Sequence, residues 1–183
     1  MNFFSGMTTE YPTELYRELL RYRYRIFVEK LGWNVPTKDG MEFDEFDRDD
    51  TVYVTARDPR GRINGCTRLL PTSKPYLLAE VFPQLMDGGA LPRRNDVWEL
   101  SRFAAHSPDL GATVQRNCFL SPVASKLLHY SIEDAARRGA KNLVFVSTAG
   151  MEGLMRRDDI NVRSVGPSRV VDGHRVSACW IDI

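Results

Sequence analysis

The chain has 183 residues, with 25 basic and 24 acidic side chains and a formal net charge of +1 at pH 7. This length fits one domain with a substantial core and is too short for two comfortable domains. The balance of charges excludes a global field that would attract nucleic acid or an anionic membrane, so neither is expected as a partner.

The cysteines and the N-terminus indicate the compartment. Cys66, Cys118 and Cys179 are far apart and lack C-x-x-C spacing, which argues against disulfides and against a zinc site. The N-terminal residues lack a basic segment followed by an apolar one, and no apolar run approaches the length of a membrane span. We expect a soluble cytoplasmic protein with no metal. The three histidines stand alone in the sequence, and none is assigned a role.

The first part of the chain predicts a helix, a loop and a hairpin. Apolar side chains at intervals of three and four predict an amphipathic helix over 12–31, ended by Gly32. Residues 33–50 lack strong periodicity and are expected to form a loop over the site. Alternation then predicts strands over 51–57 and 63–70, joined by a turn at 58–61.

The second part alternates between strands and helices. Ser121 and Pro122 supply a helix start, and Gly139 the corresponding end. This mixture of elements predicts an α/β fold, a three-layer sandwich in which helices cover a twisted mixed sheet. Strands are expected over 96–104, 142–148, 163–165, 169–171 and 175–181, a short helix around 151–155, and connections over 83–94 and 106–112.

The segment Val97–Phe103 sets polar groups inside an apolar run. Glu99, Ser101 and Arg102 lie there among residues suited to a core. A buried ionised group is expensive unless it is paired, so Glu99 needs either a partner or a chemical function. A structural Glu–Arg pair bracing a strand is the simpler alternative.

Acids and arginines interrupt other apolar segments too. Asp44 and Asp47 alternate with phenylalanines in an acidic run, which as an alternative could be a solvated loop. Arg23 lies in the first helix and Arg68 in the hairpin. Charges inside apolar segments at several places indicate one constellation assembled by folding.

The familiar enzyme motifs are absent from the sequence. It contains no G-x-S-x-G elbow, no G-x-x-x-x-G-K-[ST] loop, no G-x-G-x-x-G fingerprint and no metal-ligand spacing. Residues 62–67 approach the R-x-x-G-x-G/A phosphate loop of coenzyme A acetyltransferases, but this segment ends in Thr67 and lies in a predicted strand.

The charged positions resemble, in order and spacing, the signature of the acyl-homoserine lactone synthases, the autoinducer synthases of bacterial quorum sensing. The likeness extends through Cys66 to Leu78 and covers most of the chain. The residues that carry it are Arg23, Phe27, Trp33, Asp44, Asp47, Arg68 and the segment Trp98–Arg102.

The resemblance implies an acetyltransferase-like (GNAT-like) fold and an acyltransferase reaction. The amine of S-adenosylmethionine would be acylated from an acyl thioester, on acyl carrier protein or coenzyme A. Its carboxylate would then close the lactone and expel methylthioadenosine. S-adenosylmethionine is a substrate here, so no cofactor is expected.

This reaction suggests a role for each charged residue. Glu99 is the expected base for the amine, because a free α-amine has a pKa of about 7.7–8.0. Acids and aromatic rings would hold the cationic substrate, and guanidinium groups would hold the acids or bind a carboxylate. The predicted catalytic residues are Glu99, Ser101, Arg102 and Asp47. The predicted substrate-binding residues are Arg23, Phe27, Trp33, Asp44, Asp47, Arg68, Arg102 and Phe103.

The acyl chain requires an apolar wall, and an acidic carrier requires a basic surface. Relatives that prefer 3-oxo chains tend to carry Thr where Phe145 aligns, so a chain unsubstituted at C3 is expected. Arg156 and Arg157 are the predicted docking residues, and Arg137, Arg138 and Lys141 are further candidates. The predicted acyl pocket comprises Phe145, Val146, Met151, Leu154 and Met155.

Two alternatives stay open. One is a coenzyme A dependent N-acyltransferase with another amine acceptor, and the other is an inactive module that binds an acyl or adenosyl ligand. Residues 1–183 are expected to form a single synthase domain. Because relatives usually continue further, a C-terminal truncation is one interpretation of where the chain stops.

Overall fold

A computed structural model describes residues 1–106, 121–171 and 173–183. Cys118 and the part of the predicted connection beyond residue 106 lie outside these ranges. The chain divides into two compact units. The first unit comprises Met1–Arg68 and Arg102–Ser131, and the second unit comprises Leu69–Ser101 and Ile132–Ile183.

The first unit contains a helical segment and most of the N-terminal strands. Its strands are β1 (Asn2–Met7), β2 (Thr37–Lys38), β3 (Met41–Glu42), β4 (Val52–Arg57), the start of β5 (Ile63–Pro71) and the end of β6 (Val97–Ala105). Its helices are α1 (Thr13–Arg23), a π-helix (Tyr24–Lys30) that continues α1, and the start of α3 (Pro122–Arg137).

Antiparallel pairing organises the strands of the first unit. β1 pairs with β4, from Asn2 opposite Arg57 to Met7 opposite Val52. β4 and β5 form the predicted hairpin, whose turn is closed by the Asp58 amide donating to the Arg62 carbonyl at 2.9 Å. The predicted helix over 12–31 is confirmed in extent, but its last part is π-helical, a local widening that periodicity does not reveal.

The core of the first unit lies between α1 and the strands. Leu19, Tyr22 and Ile26 bury the predicted apolar stripe of the helix against Tyr53 and Cys66. Helix α3 lies close to β5 at Gly65. A Cβ atom built at Gly65 would lie 3.1 Å from the Leu127 Cδ2 atom, so this contact favours glycine.

The second unit combines parallel and antiparallel pairing. β6 runs parallel to β7 (Asn142–Ser147), and β7 pairs antiparallel with β10 (His174–Asp182). The sheet is therefore mixed, as predicted. The remaining elements of this unit are α2 (Leu77–Glu80), a 3₁₀ turn (Pro83–Met86), α4 (Ala149–Arg157), β8 (Val162–Ser164) and β9 (Arg169–Val171).

Strand β7 and helix α4 fill the core of the second unit. Leu143, Val144 and Phe145 are buried, as are Leu154 and Met155. The free thiols Cys66 and Cys179 are buried in their respective units. Among the described residues, no helix is long and apolar enough to cross a membrane.

Candidate active site

The first unit contains a ring of six buried charges. Arginines from α1, β5 and β6 meet acids from the segment between the π-helix and β4. All six side chains are at most 5% exposed. In order around the ring, which we call the charged ring, they are Glu42, Arg23, Asp47, Arg68, Asp44 and Arg102.

Arg23 connects two acids in this ring. Its Nε atom donates to Glu42 Oε2 at 2.6 Å, and its Nη1 and Nη2 atoms donate to the two oxygens of Asp47 at 2.9 Å each. A guanidinium is a planar fork that matches a carboxylate in this way. Arg23 is fully buried, so both acids are needed to compensate its charge.

The other two arginines close the ring. Arg68 Nη1 donates to Asp47 Oδ1 at 2.8 Å and to Asp44 Oδ1 at 2.5 Å. Arg102 Nη2 donates to Asp44 Oδ2 at 2.8 Å and to Glu42 Oε1 at 2.9 Å. Positive and negative groups alternate all the way around, so the ring as a whole is neutral.

Electrostatics keep Asp47 and Arg23 of the ring ionised. Burial disfavours the charged form of Asp47, but the guanidiniums of Arg23 and Arg68, with hydrogen bonds from Arg23 and Tyr53, hold its pKa well below the usual range. Burial also opposes the charge of Arg23, and Asp47 and Glu42 outweigh it, so the pKa of Arg23 is raised. Asp47 and Arg23 therefore carry their charges at neutral pH.

Local turns position the acids. The Asp44 amide donates to Asp47 Oδ2 at 2.8 Å, and the Phe46 amide donates to Asp44 Oδ1 at 2.9 Å. The Tyr53 hydroxyl donates to Asp47 Oδ1. These bonds fix the acidic segment, which the ring fastens to a helix and two strands. The solvated-loop alternative is therefore wrong for Asp44 and Asp47.

Two stacked aromatic rings lie beside Arg102. Phe27 and Trp33 have centroids 4.8 Å apart and an interplanar angle of 18°. The Arg102 Cζ atom lies 5.6 Å from the centroid of Phe27 and 5.8 Å from that of Trp33. Phe27 is buried, whereas Trp33 is 37% exposed. We call this pair the aromatic platform; Trp33 gives it a surface that solvent reaches.

Backbone geometry at the platform is unusual. The Trp33 amide donates to the Phe27 carbonyl at 2.8 Å, just beyond the end of the π-helix. π-helical turns are rare and are frequently found at functional sites. Arg102 has φ of +52°, a region that non-glycine residues seldom adopt and that costs about 1–3 kcal/mol. The ion pairs of the ring hold Arg102 in this conformation.

Two members of this arrangement were not singled out from the sequence. Glu42 is fully buried between Arg23 and Arg102, although by sequence it only opens an acidic run. By sequence, Tyr53 is one more residue of an alternating strand. Its position gives no signal of the hydrogen bond to Asp47, whereas Glu42 could have been found from its two-residue spacing to Asp44.

Glu99 lies in the second unit, fully buried on β6. Its Oε2 atom accepts from the Leu77 amide at 2.9 Å and its Oε1 atom from the Leu78 amide at 2.7 Å. Two main-chain donors at the start of α2 favour the ionised carboxylate. Burial and then the charge of Glu99 raise the pKa of Tyr76. The two amides therefore compensate the buried carboxylate of Glu99.

The remaining predicted residues fall in both units. Phe145, Met151, Leu154 and Met155 are buried on β7 and α4, and Val146 is half-buried. Arg157 donates to Asp158 at 3.1 Å. Phe103 is half-buried beside Arg102 on β6 in the first unit, and Ser101 is 8% exposed in the second. Their assigned roles remain predictions.

The acidic side chains of the described residues do not gather into a metal-binding group. Within residues 1–106, 121–171 and 173–183, no group of three or more His, Cys, Asp or Glu side chains could hold a metal ion. The acids of the charged ring are occupied by arginines instead.

Comparison with known proteins identifies the class and then the family. Acyl-CoA N-acyltransferase from Pseudomonas aeruginosa shares the fold at 15% identity, with a TM-score of 0.67 over 98% of each chain. The chain thus has the α/β fold of the N-acyltransferases, as predicted. A family model described as autoinducer synthase matches residues 7–183, and the chain belongs to this family of acyltransferase enzymes.

Relatives agree with this assignment over the length of the chain. An acyl-homoserine-lactone synthase of Acinetobacter nosocomialis is 41% identical over 183 residues, all of both chains. One from Ralstonia nicotianae is 47% identical over 174 residues, 94% of this chain and 84% of the relative.

Solved structures of similar proteins carry small molecules. TofI in a ternary complex with an inhibitor and MTA is 45% identical, with a TM-score of 0.85, covering 100% of this chain and 91% of TofI. BjaI, a CoA-dependent acyl-homoserine lactone synthase with SAM and isopentyl-CoA, is 27% identical, with a TM-score of 0.83, covering 99% and 82%.

Proposed function

We propose that this enzyme makes an acyl-homoserine lactone from S-adenosylmethionine and an acyl thioester. The observation that carries the proposal is the charged ring with its aromatic platform, in a chain of the autoinducer synthase family. Relatives with this activity match nearly the whole chain, and BjaI was solved with both kinds of substrate.

The charged ring would act as a scaffold in this reaction. Its carboxylates already bind arginines, so Asp44 and Asp47 have little free charge to offer a cationic substrate. We therefore assign the ring the task of holding the segment between the π-helix and β4 in place. Trp33, with an exposed face, would contact the sulfonium or the adenine of S-adenosylmethionine by cation–π or stacking interactions.

Glu99 would accept the proton of the attacking amine. The amine nitrogen forms a bond to the thioester carbon, the carbon–sulfur bond breaks, and the thiol leaves with a proton. The substrate carboxylate oxygen then attacks the methionine Cγ atom, the Cγ–sulfur bond breaks, and methylthioadenosine leaves with the bonding electrons. An ionised carboxylate is required at the first step, and the amides of Leu77 and Leu78 favour that form.

The acyl donor would be a thioester on acyl carrier protein. Acyl carrier protein is acidic and suits a basic surface. Residues 62–67 only approach the phosphate-loop motif of coenzyme A enzymes, and residues 63–67 lie inside β5 instead of a loop. The apolar side chains of β7 and α4 would accommodate the acyl chain.

Mass spectrometry of a heterologous host tests the activity. Organic extracts of cells expressing the chain should contain the homoserine lactone fragment ion, and an equal amount of the Glu99→Gln variant should give far less. Absence of the ion in extracts of a host that supplies acyl carrier protein and makes folded protein would count against the proposal.

A further inference from the structure

A hollow of about 400 Å³ lies on the first unit, away from the charged ring's own residues. Arg21 and Arg25 line it from the helical segment, and Arg62 and Ile63 line it from the start of β5. Glu18 is the acid in this lining. Basic side chains therefore outnumber acidic ones around the hollow.

Two of these guanidiniums lack an acidic partner in the described ranges. Arg21 and Arg25 are exposed, lie four residues apart on the helical segment, and form no ion pair there. Two like charges that line one hollow repel each other, and an anion seated between them would relieve the repulsion. Arg62 does bind Asp58, at 2.8 Å, and that acid also accepts from the Arg60 and Arg62 amides.

The basic surface continues to the end of β6. The His106 amide donates to the Asn64 carbonyl at 2.8 Å, which places the end of β6 beside the start of β5. The Lys30 ammonium contacts His106 Nε2. Burial and the charge of Lys30 lower the pKa of His106. We call Arg21, Arg25, Lys30 and Arg62 the basic edge.

The basic edge and the charged ring are connected by one strand. Arg102 and His106 are four residues apart along β6 and its end, which corresponds to about 13 Å at roughly 3.3 Å per residue. A macromolecule bound at the edge could therefore extend a flexible thioester arm beside β6 to Arg102.

Of the five cations predicted for docking in the second unit, three form ion pairs, whereas Arg156 and Lys141 are exposed. Arg138 binds Asp134 at 2.8 Å, Arg137 binds the same acid at 3.1 Å, and Arg157 binds Asp158. Ion pairing reduces the field that these side chains present to an approaching anion.

We propose that the acidic carrier protein that delivers the acyl thioester docks on the basic edge. This inference rests on the proposed function and specifies the face by which the donor enters. Electrostatic complementarity at such a surface mainly accelerates encounter, so its loss reduces the efficiency with the carrier-bound donor.

Charge reversal with two donors tests the proposal. Lactone formation is measured with an acyl carrier protein thioester and with the uncharged acyl-pantetheine of the same chain. Arg25→Glu should lower kcat/KM for the carrier donor by about tenfold or more and leave acyl-pantetheine within about twofold. Lys38→Glu, an exposed site on β2 with the same charge change, should affect neither donor.

Each contrary result is distinct. Equal changes in kcat/KM for Arg25→Glu and Lys38→Glu would overturn the docking site. So would a loss with the carrier donor that appears in the Arg156→Glu/Arg157→Glu variant and not in Arg25→Glu. An equal loss of kcat/KM with both donors would also overturn it. The exception is a loss in the Arg25→Glu variant that is reversed when one acidic residue of the carrier is changed to lysine. If the wild-type enzyme uses acyl-pantetheine but not the carrier thioester, only the docking proposal is refuted. If neither donor yields lactone, the proposed function is refuted.

Discussion

The charged ring shows how three arginines can be buried together. Each guanidinium contacts two carboxylates, and each carboxylate contacts two guanidiniums, so no charge in the ring is left uncompensated. Removal of one member of a buried pair typically costs 3–5 kcal/mol, because its partners remain buried. The ring therefore makes the acidic segment dependent on every one of its members.

Asp47 should make stability depend on pH. Its pKa lies below the ordinary value of 3.8, so the unfolded chain takes up the proton first as the pH falls. Its contribution is complete above about pH 5 and declines at lower pH, through the folded pKa. Asp47→Asn should thus be less stable than wild type near pH 7, by about 3–5 kcal/mol, with a smaller difference at pH 3.

Urea unfolding across this pH range measures the effect. Asp49→Asn, an exposed position in the same segment, should follow the wild type at every pH. A difference between wild type and Asp47→Asn that is the same at pH 3 and pH 7 would contradict the ionised state assigned to Asp47.

Trp33 should matter for substrate and little for folding. Trp33→Ala removes the exposed face of the aromatic platform, so KM for S-adenosylmethionine should rise by about tenfold, the scale of a 1–2 kcal/mol contact. Phe43→Ala is a matched control, because Phe43 is equally exposed at 37%. Similar KM values for the two variants would exclude Trp33 from the binding surface.

Glu99→Gln should lower kcat by about two orders of magnitude or more, since an amide cannot accept the proton. Gln also presents an NH₂ group to one of the two amides that Glu99 binds, so thermal melts must accompany the rates. Glu80→Gln changes an exposed residue of α2, the short helix whose first amides bind Glu99, and this variant should retain the wild-type kcat. A folded Glu99→Gln enzyme with wild-type kcat would remove Glu99 from the mechanism.

Residue-level prediction from sequence succeeded where a charge interrupts an apolar run. Arg23, Asp44, Asp47, Arg68 and Arg102 were grouped for that reason, and folding does bring them together. The pairing itself was not predictable, because contacts between residues 19 to 60 apart depend on tertiary structure. The bonds of Glu99 to main-chain amides were missed for the same reason.

At the scale of elements, periodicity located most helices and strands, but the strand β1 was not predicted, and neither were the irregularities. The hairpin of β4 and β5 and helices α1, α3 and α4 were predicted within a few residues. Helix α2 and the short β2–β3 pair are too brief for any periodic signal. The π-helix and the positive φ of Arg102 are stabilised by tertiary contacts, which no local pattern encodes.

Two glycines of the second unit should respond oppositely to alanine. A Cβ atom at Gly166 would overlap the Leu85 carbonyl oxygen, whereas nothing lies within 4 Å of one at Gly153 in α4. Gly166→Ala should destabilise by about 1–3 kcal/mol through overpacking, and Gly153→Ala should stabilise by about 0.5–1 kcal/mol. Denaturant unfolding measures both; a neutral Gly166→Ala would contradict the close contact with Leu85.

At the scale of the whole molecule, charge is nearly balanced overall and strongly organised locally. The formal charge of the chain is +1, yet the first unit contains both a buried ring of three arginines and three acids and a basic edge on its surface. Composition could exclude a general attraction to nucleic acid, but it could not indicate where charge accumulates. The family, by contrast, was identifiable from sequence because its signature consists of charged residues at fixed spacings.

The most direct test of the account is product analysis with the purified chain. Incubated with S-adenosylmethionine and an acyl carrier protein thioester, it should yield acyl-homoserine lactone, methylthioadenosine and free carrier thiol in equal amounts. Acylation of another amine, or binding of S-adenosylmethionine without release of methylthioadenosine, would contradict the proposed synthesis.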